Sequence, residues 1–342
     1  VFTTPSYHDF VDSPTVLAKN IHQISFEVDS VPFHAHFVGN WQAGDAGDSV
    51  VKEAFTRIAT EQAAIFGELP LDRYHHIYLL LPFRIRHAVE HKYSAMYTLP
   101  ESVAESAESL RGLFGITSHE FFHVWNVKRI RPAAMWPYDY SKEAYTRLHW
   151  FTEGVTDYYA HLALARSGLW SEEDLMNHFS NLLTRIENSH GAEVTTPARA
   201  SFDSWLARSQ YANPHHRASY YALGTRVALL MDAHQRARSD GQKSFDDVFR
   251  FLWENAYKRG EGVPEDGVLT ALEHLTGKPM QSLYDELVNQ PGPLDYARYL
   301  EPAGLRVESQ PKEQLKPYEK LGIGEMQERN GRWVIGGLAP NG

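Results

Sequence analysis

The residues best suited to chemistry in this sequence stand at positions 119 to 123, which read His-Glu-Phe-Phe-His. Residues four apart in an α-helix share one face, so the imidazoles of His119 and His123 can reach a single metal ion. Glu120 lies at the edge of that face, where its carboxylate can hold a metal-bound water. The spacing predicts a zinc hydrolase with Glu120 as general base; two buried structural histidines on a core helix are the alternative.

The segment around this motif must be helical for that chemistry to work. Apolar residues recur at helical spacing from Leu110 to Trp125, and Pro132 closes the segment a few residues after Asn126. The pattern predicts one helix that carries both histidines and continues to about Asn126.

A catalytic zinc site keeps three protein ligands and one open position, so a third ligand must come from elsewhere in the chain. Glu153 is the best candidate, because it lies in a second segment of helical periodicity, from Trp150 to Tyr159. Asp157 lies four residues further on the same face and can accept a hydrogen bond from the other ring nitrogen of His119. The alternative is that Glu153 and Asp157 merely solvate a helix.

The two segments together resemble a known family of zinc peptidases. The runs His-Glu-Phe-Phe-His-Val-Trp-Asn-Val-Lys-Arg-Ile-Arg-Pro at 119–132 and Trp-Phe-Thr-Glu-Gly-Val-Thr-Asp-Tyr-Tyr at 150–159 are similar to those of the glycyl aminopeptidase family of gluzincins. The resemblance extends over nearly the whole chain. It implies a thermolysin-like catalytic fold, one Zn²⁺ ion, a C-terminal PDZ domain, and release of small residues, mainly Gly or Ala, from peptides with a free N-terminus.

The resemblance also implies a residue that binds the substrate's α-amino group. The family, like the aminopeptidase N family, carries a Gly-Gly-apolar-Glu-His/Asn motif on an edge strand, and its Glu captures the free amine. This sequence reads His-Ala-Val-Glu-His at 87–91, which gives Glu90 that role while both glycines are replaced. Glycine lets a backbone approach a substrate closely, so His87 and Ala88 are expected to narrow or reshape the subsite. A glutamate on a strand surface is the alternative.

A tyrosine is the last site residue that the resemblance implies. The run Ser-Tyr-Tyr-Ala-Leu-Gly at 219–224 resembles the family's Tyr-x-x-Gly on a helix lining the cleft, where the phenol hydrogen-bonds the oxyanion formed during attack. Adjacent helical residues point about 100° apart, so only one of the two tyrosines can face the metal. We assign this role to Tyr221; a structural tyrosine on a core helix is the alternative.

Two other functions remain compatible with these residues. A thermolysin-like endopeptidase would share the zinc site but would need an open cleft in place of an amine anchor. A catalytically weak peptide-binding protein could use the cleft and the C-terminal tail for docking, although the intact Glu120 argues against it.

Composition excludes several other classes. A net charge of −10 in 342 residues offers no basic footprint for nucleic acid, and the absence of cysteine excludes disulfides and thiol chemistry. No run of about 18 apolar residues is present, so no membrane span is expected. The compartment, cytoplasm or periplasm, and the oligomeric state are left open.

The order of patterns along the chain predicts an α+β fold. Strand patterns at 22–38 and 75–82 surround an amphipathic helix at about 49–66, and helical patterns separated by Gly and Pro continue from about 142 to 300. We therefore expect a sheet-containing lobe with the zinc helix at 1–135 and an α-helical lobe at 136–300, with the active site in the cleft between them.

The remaining segment, 301–342, is expected to be an incomplete PDZ-like segment. Residues 321–324 and 330–335 predict a strand start and a hairpin, and they resemble the opening of a PDZ domain with its Gly-rich carboxylate-binding loop. The segment is too short to complete such a domain, so we expect exposed, unpaired strand edges.

Overall fold

The computed structural model of the protein describes residues 3–207, 218–308, 323–329 and 332–338. Its centre is one mixed sheet with the strand order β1-β2-β3-β5-β4, and a separate two-stranded hairpin follows near the C-terminal end. The strands are β1 (Ile21–Val28), β2 (Val31–Val38), β3 (Tyr74–Leu81), β4 (His87–Glu90), β5 (Ser94–Pro100), β6 (Ile323–Arg329) and β7 (Arg332–Leu338).

The pairing of the strands leaves β4 at one edge of the sheet. β1 and β2 are antiparallel and are joined by Asp29 and Ser30, whose φ angles of 48° and 66° fit the tight turn that matches strand twist. β2 pairs in parallel with β3, and β3 in parallel with β5. β4 is antiparallel to β5, and among the described residues its other side has no strand partner.

The described residues also form thirteen α-helices. They are α1 (Tyr7–Val11), α2 (Gly44–Phe66), α3 (Phe114–Phe122), α4 (Thr156–Arg166), α5 (Glu172–Glu187), α6 (His190–Val194), α7 (Pro197–Phe202), α8 (Ser204–Ala207), α9 (Tyr220–Arg238), α10 (Phe245–Asn255), α11 (Gly267–Thr276), α12 (Gln281–Tyr284) and α13 (Tyr296–Leu300). Local sequence explains several ends: Gly67 closes α2 with a φ of 74°, and Ser171 with Asp174 caps the start of α5 reciprocally.

Helix α3 lies in the core between the sheet and the other helices. The Phe121 ring packs 5.5 Å from Phe33 of the sheet, while the Phe122 ring stacks 4.9 Å from Tyr159 of α4. Buried hydrogen bonds fix the same helix in rotation, because Tyr78 bonds Thr117 at 2.7 Å and Ser118 donates to the Ala160 carbonyl at 2.8 Å. The helix that carries the His-Glu-x-x-His motif is thus held from both sides.

The structure differs from the helical predictions in two details. α3 ends at Phe122 with His123 as its C-cap, and residues 123–129 form turns instead of continuing the helix to Asn126. The reason is local bonding, since the Asn126 carbonyl turns back to the His123 ring at 2.6 Å. Glu153 lies in a wide π-helical turn, Trp150–Val155, and the regular helix that holds Asp157 begins only at Thr156.

Near the C-terminal end, β6 and β7 form an antiparallel hairpin at the predicted place. Residues 321, 322, 330 and 331 of the predicted motif lie outside the described residues. No helix in the described parts of the chain is both long and apolar enough to cross a membrane.

Candidate active site

The two histidines of the motif point their Nε2 atoms at each other across one turn of α3. His119 Nε2 and His123 Nε2 are 3.2 Å apart, and both side chains are nearly inaccessible to solvent. The prediction that both imidazoles share one face therefore holds, even though His123 is the C-cap and lies just beyond the last residue of α3.

Glu153 completes a compact group of three potential ligands. Its Oε2 atom lies 3.4 Å from the Nε2 atom of each histidine. The π-helical turn contributes to this placement, because such turns add an extra residue and redirect a side chain, and they recur at functional sites. The structure thus brings together the three residues that the sequence proposed as metal ligands.

The other ring nitrogens of the histidines have acceptors behind them. His119 Nδ1 lies 3.5 Å from Asp157 Oδ1, the partner expected from the sequence. His123 Nδ1 lies 2.6 Å from the backbone carbonyl of Asn126, which can only accept a hydrogen bond, so Nδ1 carries the proton. This arrangement leaves Nε2 of each neutral ring as a lone-pair atom that faces Glu153.

Three lone-pair atoms within 3.4 Å of one another fit a cation. Burial opposes a charge on the imidazoles, yet Asp157 and Glu153 raise the pKa of His119 well above its usual value, and Glu153 raises that of His123. The surplus of negative charge therefore favours a positive charge at this point. Two imidazole nitrogens and one carboxylate are the donor set expected of a catalytic Zn²⁺ site.

Two further carboxylates reach the edge of this group. Three atoms lie within 4.8 Å of one another: a carboxylate oxygen of Glu90, a carboxylate oxygen of Glu120 and a ring nitrogen of His123. Glu120 is almost fully buried, and burial raises its pKa to about 7. The two histidines lower this pKa, while the charges of Glu90 and Glu153 raise it further. Glu120 does not belong to the three-residue ligand group, as expected of a base beside a metal.

The structure separates the two residues that replace the family's glycines. Along β4, Ala88 and Glu90 are half-buried while His87 and Val89 are exposed, as the alternation of a strand requires. Ala88 therefore shares a face with Glu90, and its methyl group is the one that can narrow the subsite. His87 projects from the opposite face.

Tyr221 lies beside the ligand group at the start of α9. Its ring centroid is 5.9 Å from that of His119, and partial burial followed by the charge of the neighbouring Glu153 raises the pKa of its phenol. Tyr220 instead stacks 5.0 Å from Tyr221 and 5.6 Å from His149. Of the two tyrosines, Tyr221 is the one whose ring contacts a proposed metal ligand.

A pair of glycines allows α9 to approach the π-helical turn. A Cβ atom added to Gly224 would lie 2.1 Å from the Trp150 carbonyl oxygen and 2.9 Å from the Gly154 Cα atom. Backbones can meet this closely only where no side chain intervenes. The contact sets the distance between Glu153 and Tyr221.

Several supporting residues have no signal in the sequence motifs. Thr225 Oγ1 lies 3.0 Å from the Gly154 carbonyl and 3.3 Å from Asp157 Oδ2, and it joins α9 to the ligand segment. Only the family pattern around Gly224 could have pointed to it. The acceptor for His123 Nδ1 is the backbone carbonyl of Asn126, and because every residue type has this group, the sequence does not indicate it.

Behind Asp157 lie two further histidines. His161 Nδ1 donates to the Asp157 carbonyl at 2.7 Å, and its ring stacks 3.7 Å from that of His178. These three residues also lie close enough to suggest a metal site. Because His161 Nδ1 is already bonded to the Asp157 backbone carbonyl and the two rings stack, the pair packs behind Asp157.

Fold and donor set together place the chain among proteins with a metallopeptidase fold. Residues 112–227 match the model of the M61 glycyl aminopeptidase family, so the resemblance drawn from the two motifs is confirmed. The match covers α3, both ligand segments and the start of α9.

Solved structures support the same fold. An aminopeptidase N family protein from Idiomarina loihiensis is 24% identical, with a TM-score of 0.77 over 82% of this chain and 49% of that one. An M1 zinc metallopeptidase from Deinococcus radiodurans is 18% identical, with a TM-score of 0.52 over 80% of this chain and 54% of that one. This chain thus spans about half the length of these proteins. No curated protein matches the sequence significantly.

Proposed function

We propose that this chain contains the catalytic part of a zinc aminopeptidase that releases small, glycine- or alanine-like N-terminal residues from peptides. The observation that carries the proposal is the convergence of His119, His123 and Glu153 beside two further carboxylates, Glu120 and Glu90. The match of residues 112–227 to the glycyl aminopeptidase family supports the substrate class.

His119, His123 and Glu153 would hold the zinc ion, and Asp157 would fix the orientation of His119 from behind. When bound, zinc polarises the scissile carbonyl and makes a water molecule acidic near neutral pH. Glu120 would accept a proton from the attacking water at its carboxylate and pass it to the leaving amine. The burial of Glu120 keeps competing solvent away from its carboxylate.

Glu90 would bind the ammonium group of the substrate at the far edge of the site. A charge-assisted contact to a free N-terminus gives exopeptidase selectivity, because an acylated N-terminus offers no positive charge. The open side of β4 can pair with an extended peptide backbone, and Ala88 beside Glu90 would favour a small first side chain. Tyr221 would donate its hydroxyl to the developing oxyanion.

The finer architecture is part of the same proposal. We assign residues 1–135 and 136–300 to the sheet-containing and helical lobes of a thermolysin-like, gluzincin-type catalytic domain. We assign residues 301–342 to an incomplete PDZ-like segment. The β6-β7 hairpin supports this assignment, because it lies where the sequence predicts a hairpin.

The proposal is tested with alanine and glycine p-nitroanilides, each with a free and with an N-acetylated amine. We expect hydrolysis of the free-amine substrates only, with about one zinc per chain by elemental analysis. Equal hydrolysis of both forms would establish the endopeptidase instead, and no hydrolysis by the zinc-loaded protein would favour the peptide-binding protein.

A matched variant separates chemistry from metal binding. Glu120→Gln keeps size and polarity but cannot accept a proton, so it should retain the zinc and lose nearly all turnover. Substantial remaining activity would mean that another group is the base.

A further inference from the structure

A single carboxylate near the N-terminus contacts two elements of the proposed active site. Asp12 directly follows α1, and its Oδ1 atom lies 2.7 Å from Lys128 Nζ and 3.3 Å from His91 Nδ1. Its Oδ2 atom accepts a hydrogen bond from the Lys92 backbone N–H at 2.8 Å. Charged hydrogen bonds of this length are among the stronger polar contacts in proteins.

The first element that Asp12 holds is the turn that follows Glu90. His91 and Lys92 are the two residues after β4, and the His91 N–H closes the turn onto the Ser94 carbonyl at 2.8 Å. Fixing both residues of this turn fixes the end of the strand on which Glu90 stands. β4 is an edge strand of only four residues, so β5 alone supports it within the sheet.

The second element is the turn that follows the histidine helix. The Lys128 N–H donates to the His123 carbonyl at 2.9 Å, and only 6% of the Lys128 side chain is exposed. Asp12 is thus a bridge between the residue group around His123 and the turn that follows Glu90. The same two groups meet at the site itself, where Glu90 lies within 4.8 Å of Glu120 and His123.

Packing alone does not explain why this segment lies here. α1 buries none of its residues, and Tyr7 and Phe10 are more than 60% exposed. The other described side-chain contacts between the segment and the rest of the protein are weaker, a 3.6 Å ion pair between Asp9 and Lys92 and ring contacts of Tyr7 and His8 with Tyr140. The shortest described hydrogen bonds from the segment to the rest of the protein are those of Asp12.

We propose that Asp12 is a positioning residue for Glu90. Asp12 holds Glu90, the amine anchor, at the distance from the metal ligands that one substrate residue requires. The inference rests on the proposed function of Glu90 as amine anchor. Without Asp12, the turn at His91 and Lys92 loses its link to Lys128, and Glu90 is free to move away from Glu120 and His123.

The experiment compares Asp12→Asn with the matched variant Asp9→Asn on the same segment. For each zinc-loaded protein, kcat and KM are measured with free and N-acetylated alanine p-nitroanilide. Asp12→Asn should raise KM for the free amine roughly tenfold with little change in kcat, because the anchor is displaced and not deleted. Its preference for free over acetylated substrate should fall by the same factor, and Asp9→Asn should match the parent.

Lys128→Met removes the other end of the bridge and serves if Asp12→Asn folds poorly. It should shift KM and the preference in the same direction, and the double variant should add little to either single change. An unchanged preference in folded, zinc-loaded Asp12→Asn would overturn the inference, as would an equal loss on both substrates, which a purely structural role predicts. A parent protein without preference for the free amine would overturn the proposed anchor, and this inference with it.

Discussion

At the scale of single residues, the site is a balance between two imidazoles and four carboxylates. Burial opposes charge on Glu153 and Asp157, yet the neighbouring histidines hold the pKa of both carboxyl groups below the usual range, to about 2 for Asp157. Glu120 behaves in the opposite way, because burial dominates and raises its pKa to about 7. Environment therefore separates two carboxylates that stay charged beside the histidines from one that can exchange a proton.

The clearest prediction at this scale concerns Tyr221. A phenol aimed at a developing oxyanion acts mainly on the transition state, so Tyr221→Phe should lower kcat and kcat/KM together, by about 10² to 10³. Tyr220→Phe is the control, since the described ring contacts of Tyr220 are with Tyr221 and His149. If the control loses activity and Tyr221→Phe does not, the assignment belongs to Tyr220.

At the scale of elements, a close helix crossing sets the geometry. The π-helical turn with Glu153 and the start of α9 with Tyr221 meet at Gly154 and Gly224, and Thr225 bonds the Gly154 carbonyl across the same contact. The distance between Glu153, a proposed metal ligand, and Tyr221, the proposed oxyanion donor, thus depends on the absence of side chains at these two glycines.

Gly224→Ala should therefore damage both stability and activity. Its methyl group would meet backbone atoms that cannot rotate away, so we expect a loss of about 1 to 3 kcal/mol or more in the free energy of unfolding, measured in urea. Turnover should fall as well, because Tyr221 moves away from Glu153. Gly112→Ala is the matched control, since a Cβ there has no atom within 4 Å. Equal behaviour of the two variants would show that the crossing tolerates a methyl group.

At the scale of the whole molecule, the N-terminal segment is held to the body by charge. Three donors lower the pKa of Asp12 to about 2, although burial alone would raise it. The pKa in the folded protein is thus below the ordinary value of 3.8. The stabilisation is present above that ordinary value and is lost as the pH falls toward the folded value.

Asp12→Asn should accordingly lower the free energy of unfolding by about 1 to 2 kcal/mol near pH 7, after allowance for partial exposure. The difference from the parent should stay constant from about pH 7 to 5 and shrink below about pH 4. Urea unfolding at a series of pH values measures it. A difference that does not change with pH down to 3 would mean that the charge of Asp12 contributes nothing.

The sequence by itself determined the parts of this protein that depend on local spacing. The pair His119 and His123, the proposed base Glu120 between them, and the pair Glu153 and Asp157 follow from short intervals on helical segments, and all lie together in the structure. The strand patterns at 22–38 and 75–82 and the amphipathic helix pattern at about 49–66 likewise correspond to β1, β2, β3 and α2, because burial imposes its period on the sequence. None of these patterns predicts β5.

Only the tertiary structure decided how these parts meet. The end of α3 at Phe122 depends on a backbone carbonyl, which carries no signature of residue type. The approach of Glu90 to Glu120, the crossing at Gly154 and Gly224, and the bond from Asp12 to Lys128 join residues 30, 70 and 116 positions apart. Such contacts follow from the packing of α3 between sheet and helices, and no local pattern in a single sequence records which distant residue fills a given position.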